Sequence, residues 1–159
     1  MSKIALVTGG TRGIGEAISI ALKESGHTVI ASYAGNDQAA KAFEQQHNIP
    51  VYKFDVADYS ACTQAIDQIS RDFGNIGILV NNAGITRDGT LHKMTEQAWD
   101  EVIETNLNSC FNMCRAVIEG MRGENFGRIS NISSINGLAG QFGQTNYSAA
   151  KAGMPHART

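Results

Sequence analysis

The sequence predicts an α/β fold in which a doubly wound parallel sheet carries helices on both faces. Three observations support this. Short apolar runs alternate with helix-patterned stretches five times without a long structureless linker, the runs are apolar on both faces, and glycines cluster between the first run and the first helix. No fixed repeat, low-complexity tract or charge block interrupts the order, so residues 1–159 read as one domain.

The elements follow in turn. "KIALVTGG" is an apolar strand ending in glycines, and "GIGEAISIALKESGH" then puts Ile14, Ala17, Ile18, Ala21 and Leu22 at helical spacing, with Gly26 as the stop. "TVIAS" is the second strand, and "NDQAAKAFEQQHN" is a helix with a polar cap residue. Pro50 turns the chain into "VYKFDV". The helix "ADYSACTQAIDQISRDFG" follows through Ala61, Ala65, Ile66 and Ile69, and then the strand "IGILVNNAG". One long helix, "TEQAWDEVIETNLNSCFNMCRAVIEGM", precedes the fifth strand "GRISNIS".

A net charge of -2 and four scattered histidines provide no basic field for nucleic acid and no polybasic segment for a membrane. The apolar runs are far shorter than the ~20 residues of a membrane-spanning helix. No metal-ligand spacing is present. Cys62, Cys110 and Cys114 read as buried reduced thiols, which suits a cytoplasmic setting. Small molecules or other protein chains are the expected partners.

"TGGTRGIG" sits between the first strand and the first helix, a Rossmann-like arrangement. Gly9, Gly10, Thr11, Arg12, Gly13, Ile14 and Gly15 form a turn tight enough for a pyrophosphate to approach the backbone, and the free N–H groups of the helix start face the anion. The place where an acid would bond the adenosine ribose 2′-OH reads "ASYAGN", with no acid until Asp37. Arg12 lies where a guanidinium could pair with a 2′-phosphate, so NADP (NADPH) is expected rather than NAD.

Tyr147 and Lys151, at i and i+4, share one face of any helix begun by "NYSAAKAGM". An ammonium beside a phenol favours the phenolate, which suits a general acid that protonates a carbonyl oxygen during ketone reduction. Ser134, thirteen residues before Tyr147 at the end of the fifth strand, can polarise the same carbonyl, with Ser133 as its competitor.

The glycine turn, "NNAG", the upstream serine and Tyr-x-x-x-Lys, in that order from Lys3 to about Met154, resemble the short-chain dehydrogenase/reductase family. The resemblance implies that Asn82, Ala83 and Gly84 lie beside the cofactor and that Asp55 and Val56 flank its adenine. It also implies that Asn106, with Ser134, Tyr147 and Lys151, holds a water in a proton relay. Within the family, "NNAGITRD" and "SSINGLAGQFGQTNYS" look like the branch that reduces 3-oxoacyl thioesters, especially acetoacetyl-CoA for polyhydroxybutyrate synthesis. Gln141, Phe142, Gly143 and Gln144, with Asp88 across from them, would line the substrate entrance. Reduction on acyl carrier protein is the alternative. Arg122 and Arg128 are expected to form a thin basic patch near that entrance.

Family chains form homotetramers and continue after the Tyr-x-x-x-Lys segment with further helices and strands, whereas here "KAGM" is followed by "PHART". The expectation is a fold truncated after the fifth strand and the start of the following helix. Pro155 would break that helix, the fifth strand would be a sheet edge, and Tyr147 and Lys151 would be weakly supported. A second reading of the chain is therefore an inactive fragment that at most binds nucleotide.

Overall fold

The structure is a computed structural model and describes residues 2–154, so the expected break at Pro155 lies outside the described residues. One five-stranded sheet has the order β3-β2-β1-β4-β5, where β1 is Ile4–Val7, β2 Thr28–Tyr33, β3 Val51–Lys53, β4 Ile76–Asn81 and β5 Arg128–Asn131. All adjacent pairs are parallel, with Leu6 opposite both Ile30 and Leu79. The strand order reverses between β1 and β4, which opens a crevice at the carboxyl ends of these strands.

The helices are α1 Gly13–Glu24, α2 Asp37–His47, α3 Tyr59–Phe73, α4 Glu96–Ile103, α5 Ser109–Gly123, α6 Asn136–Ala139 and α7 Thr145–Gly153. Successive strand residues point to opposite faces and feed two cores. Ala5, Val7, Val29, Ala31 and Val80 join Phe43 and Ile49 on one side, while Leu6, Ile30 and Leu79 join Ile66, Ile69, Met113 and Val117 on the other. The α/β fold expected from the alternating pattern is the one observed.

Two helices differ from their sequence reading. In α1 the buried residues are Gly15 and Ser19, with Ile18 and Leu22 packed against the core, while Ile14, Ala17 and Ala21 are exposed. Small residues let α1 approach the sheet closely, and the Ser19 hydroxyl is satisfied by the carbonyls of Gly10 at 3.1 Å and Gly15 at 2.9 Å. The long helix expected before β5 is interrupted by a π-helical turn, Glu104–Asn108, which joins α4 to α5. Caps fall where polar residues stood: Asn36 accepts from Ala39 N and Asp58 from Ala61 N.

Helix α7 is better anchored than its short length suggested. Asn131 Nδ2 donates to Met154 O at 3.3 Å, Ser133 Oγ donates to Lys151 O at 2.8 Å, and Gly137 packs so closely that a Cβ there would lie 2.7 Å from the Lys151 carbonyl carbon. Tertiary packing thus supplies what an isolated two-turn helix lacks.

Candidate active site

A cleft of about 640 Å³ opens where the strands end. Gly9 and Thr11 to Gly15 line it from the β1–α1 turn, Ser32 to Asn36 from the end of β2, Phe54 to Val56 from the end of β3, and Asn82 to Ile85 from the end of β4. Gly10, expected beside the cofactor, does not line the cleft. It is buried, and a Cβ there would meet Val7 O at 2.7 Å and Ser19 Oγ at 2.8 Å, so its smallness serves the packing of α1 on the sheet.

The cleft floor is tied by one hydroxyl that the motif reading passed over. Thr8 Oγ1 accepts from the backbone N–H groups of Asn82 and Ala83, both at 3.0 Å, and donates to Val80 O at 3.3 Å, which uses its full hydrogen-bonding capacity. Asn82 Nδ2 donates back to Thr8 O at 2.9 Å and Gly9 O at 3.2 Å. The glycine turn and the "NNAG" segment are therefore one hydrogen-bonded unit.

Arg12 and the exposed segment after β2 share the cleft, whereas Asp37 does not line it. The Asp37 carboxylate is 2.8 Å from Lys53 Nζ, and that lysine, with Tyr33, holds it below its ordinary value.

Behind Gly84 and Ile85, which line the cleft, Asn106 is fully buried, and its amide is matched to one peptide: Oδ1 accepts from Ile85 N at 2.9 Å and Nδ2 donates to Ile85 O at 2.8 Å. Gly84 lies against it, since a Cβ there would be 2.4 Å from Asn106 Oδ1 and 3.7 Å from Lys151 Nζ. The Lys151 ammonium donates to Ile132 O at 2.7 Å and lies 5.8 Å from the centre of the Tyr147 ring. Ser133 spends its hydroxyl proton on the Lys151 carbonyl, whereas the Ser134 hydroxyl accepts from Asn136 N at 3.2 Å and has no acceptor of its own among the described residues.

The loops expected at the substrate entrance meet. Gln144 Nε2 donates to Asp88 Oδ2 at 3.1 Å, Gly89 N donates to Gly143 O at 2.8 Å, and Phe142 is 87% exposed between them and solvent. Asn146, which the sequence reading did not single out, is fully buried. It donates to Arg87 O at 3.1 Å and Ala98 O at 2.9 Å, which pins α7 to the loop after β4 and to α4. A polar residue directly before Tyr147 was its only visible signal. Arg122 and Arg128 do not flank the entrance. Arg122 is in the last turn of α5 and Arg128 starts β5, so both lie toward the amino ends of the strands, and Arg122 pairs with Glu119.

Lys151 is only 4% exposed, and burial lowers its pKa from the ordinary 10.5, with Cys110 opposing weakly. A base depressed in the folded state binds fewer protons there than when unfolded, so its contribution to stability rises with pH up to the unfolded value. The melting temperature of Lys151→Met minus that of the parent chain is therefore a gap expected to fall as the pH rises from 7 toward 10. Paired thermal melts across that range check the prediction, and a gap that widens with pH contradicts it.

Cys62, Cys110 and Cys114 are free and buried. Among the described residues no cluster could hold a metal ion, and no helix is long and apolar enough to cross a membrane.

The short chain dehydrogenase family profile matches residues 3–157. The chain is 62% identical over 153 residues to an acetoacetyl-CoA reductase of Rhizobium meliloti (strain 1021), covering 96% of this chain and 64% of that protein. It is 63% identical to an acetoacetyl-CoA reductase of Paracoccus denitrificans, covering 96% of this chain and 63% of the relative. It is 42% identical to a 3-oxoacyl-[acyl-carrier-protein] reductase of Staphylococcus aureus (strain Mu50), covering 97% of this chain and 65% of the relative. The chain thus spans somewhat under two thirds of the length of these relatives. With a cleft at the strand ends, a glycine turn along one wall and Tyr147 and Lys151 on one helix, it belongs to the short chain dehydrogenase family.

Proposed function

We propose that this chain carries the dinucleotide site and the reacting residues of an NADPH-dependent 3-oxoacyl thioester reductase, converting acetoacetyl-CoA to (R)-3-hydroxybutyryl-CoA. The observation that carries the reading is the packing of Asn106 and Lys151 against Gly84, a residue that lines the cleft, with Tyr147 on the same helix as Lys151. The cleft fits a dinucleotide. A Cβ at Gly15 would lie 2.2 Å from Gly9 O, so the turn is kept narrow for close approach, and the start of α1 offers N–H groups to a pyrophosphate. NADPH, when bound, supplies the hydride to the carbonyl carbon.

The chain's own residues handle the oxygen. Ser134, with its hydroxyl proton free, donates a hydrogen bond to the substrate carbonyl. Tyr147 gives that oxygen its proton. Lys151 orients the phenol electrostatically, and Asn106, its side-chain amide spent on Ile85, holds through its backbone the water by which the proton is replaced. Asp88 and the loop Gln141 to Gln144 border the thioester arm. The 62–63% identity to acetoacetyl-CoA reductases, against 42% to a carrier-protein reductase, supports coenzyme A as the carrier. The distance of Arg122 and Arg128 from the entrance supports it too, because an acidic carrier protein would want basic residues there. A homotetramer like those of the family is the proposed assembly. The stacked and exposed Tyr59 and Phe111 on α3 and α5 favour burial by another copy.

Turnover of acetoacetyl-CoA against acetoacetyl-carrier protein, each with NADPH, tests the substrate, and a strong preference for the carrier protein overturns the choice. For the cofactor, Arg12→Ala is expected to weaken NADPH binding about tenfold, the worth of one charge-assisted hydrogen bond, while leaving NADH unchanged. Equal weakening of both in a fluorescence titration removes the assigned role of Arg12.

A further inference from the structure

Asn112 lies in the middle of α5, 6% exposed, on a face otherwise made of apolar and small residues. A buried carboxamide is costly unless it finds partners. Its Nδ2 donates to two carbonyls of one short segment, Val56 O at 3.0 Å and Ala57 O at 3.2 Å. The same segment is held from α3: Cys62 Sγ lies 3.4 Å from Val56 O and 3.7 Å from Asp55 O, and Asp58 N donates to Asp55 O at 3.2 Å. Burial, with Asp55 and Asp58 adding to it, pushes the Cys62 thiol up to about 12, so it remains a protonated donor.

Three consecutive carbonyls are thereby turned into the protein and away from the cleft. In a planar trans peptide the N–H points opposite to the C=O of the same unit. The N–H that shares a peptide with Asp55 C=O belongs to Val56, which lines the cleft, and it has no acceptor among the described residues. The next N–H, that of Ala57, is already taken by Asp55 Oδ1 at 2.9 Å. Among the described residues, one free backbone donor therefore faces the cleft beside a carboxylate whose second oxygen accepts no hydrogen bond. That pairing of donor and acceptor suits the edge of an adenine, with its ring nitrogen N1 next to the exocyclic amino group.

We propose that Asn112 is a positioning residue for base recognition: by anchoring Val56 O and Ala57 O from α5, it aims the Val56 N–H at N1 of the cofactor's adenine. The proposal rests on the reading of the cleft as an NADP site. Cys62 assists from the opposite side, and neither side chain touches the ligand.

The test compares binding of NADPH with that of its 1-deazaadenine analogue, in which C–H replaces N1, by fluorescence titration of the full chain. The parent chain is expected to prefer NADPH about tenfold, the worth of one neutral hydrogen bond. In Asn112→Leu, which keeps the volume, and Asn112→Ala, which avoids crowding, the preference is expected to fall below about threefold. A folded variant that keeps the full preference overturns the proposal, since a residue acting on stability alone would lower both affinities together. Equal binding of both dinucleotides by the parent chain overturns it whether or not the variants fold. Failure of the parent chain to bind either dinucleotide is a different result: it overturns the NADP reading, and this inference with it.

Discussion

Tyr147→Phe is expected to lower kcat for acetoacetyl-CoA reduction by about 10²–10⁴-fold, the range that a positioned general acid contributes. The substitution removes only a hydroxyl. Among the described residues the Tyr147 side chain makes no hydrogen bond, while the backbone N–H of Tyr147 is accepted by Asn146 Oδ1 at 2.8 Å and keeps that bond in the variant. The seat of α7 on Arg87 O and Ala98 O also depends on Asn146 and not on the phenol. NADPH affinity and the melting temperature should therefore stay close to those of the parent chain. Steady-state kinetics beside a fluorescence titration separate the two quantities. Activity retained in a variant that binds NADPH normally would remove Tyr147 from the role of proton donor.

Gly15→Ala is the substitution with the largest expected effect on the cleft itself. The added Cβ would lie 2.2 Å from Gly9 O and 2.5 Å from Asn82 Nδ2, and the first contact is with backbone that no rotamer change can relieve. The turn must open or α1 must move off the sheet. Overpacking of this kind costs about 1–3 kcal/mol. Because Asn82 also bonds Thr8 and Gly9 backbone, the displacement reaches the β4 wall of the cleft, and dinucleotide affinity is expected to fall about 10–100-fold. Calorimetric melting with and without NADPH checks both parts. A variant that melts like the parent and gains the same stabilisation from NADPH would contradict the packing argument.

The outline of the fold was legible because strand and helix are written in local apolar patterns: "IALV" and "IGILV" became β1 and β4, and Asn36 and Asp58 capped the helices they precede. The glycine turn and the Tyr-x-x-x-Lys pair were legible for the same reason, since each is a short motif set between recognisable elements. What escaped notice depends on contacts between distant parts of the chain. Thr8 looked like the last residue of a strand, and nothing nearby in sequence reveals that Asn82 and Ala83 bond to its hydroxyl. Asn112 and Asn146 looked like ordinary polar helix residues, although each is buried and serves carbonyls more than 40 positions away. The true inner face of α1 was hidden because Gly15 and Ser19 carry no apolar signal, whereas the exposed Ile14 does.

The π-helical turn at Glu104–Asn108 is also a matter of residue counting. A π turn fits one more residue into the same axial span than an α-helix does. The helix therefore winds on two phases, one for α4 against α7 and one for α5 against α3, and the phase slip falls at the residue whose amide grips Ile85. Shortening the segment by one residue would make the helix more regular and leave its ends where they are, yet it would turn Asn106 away from its peptide. At this point in the chain, helical perfection and the grip of Asn106 on Ile85 are alternatives, and the surplus residue decides between them.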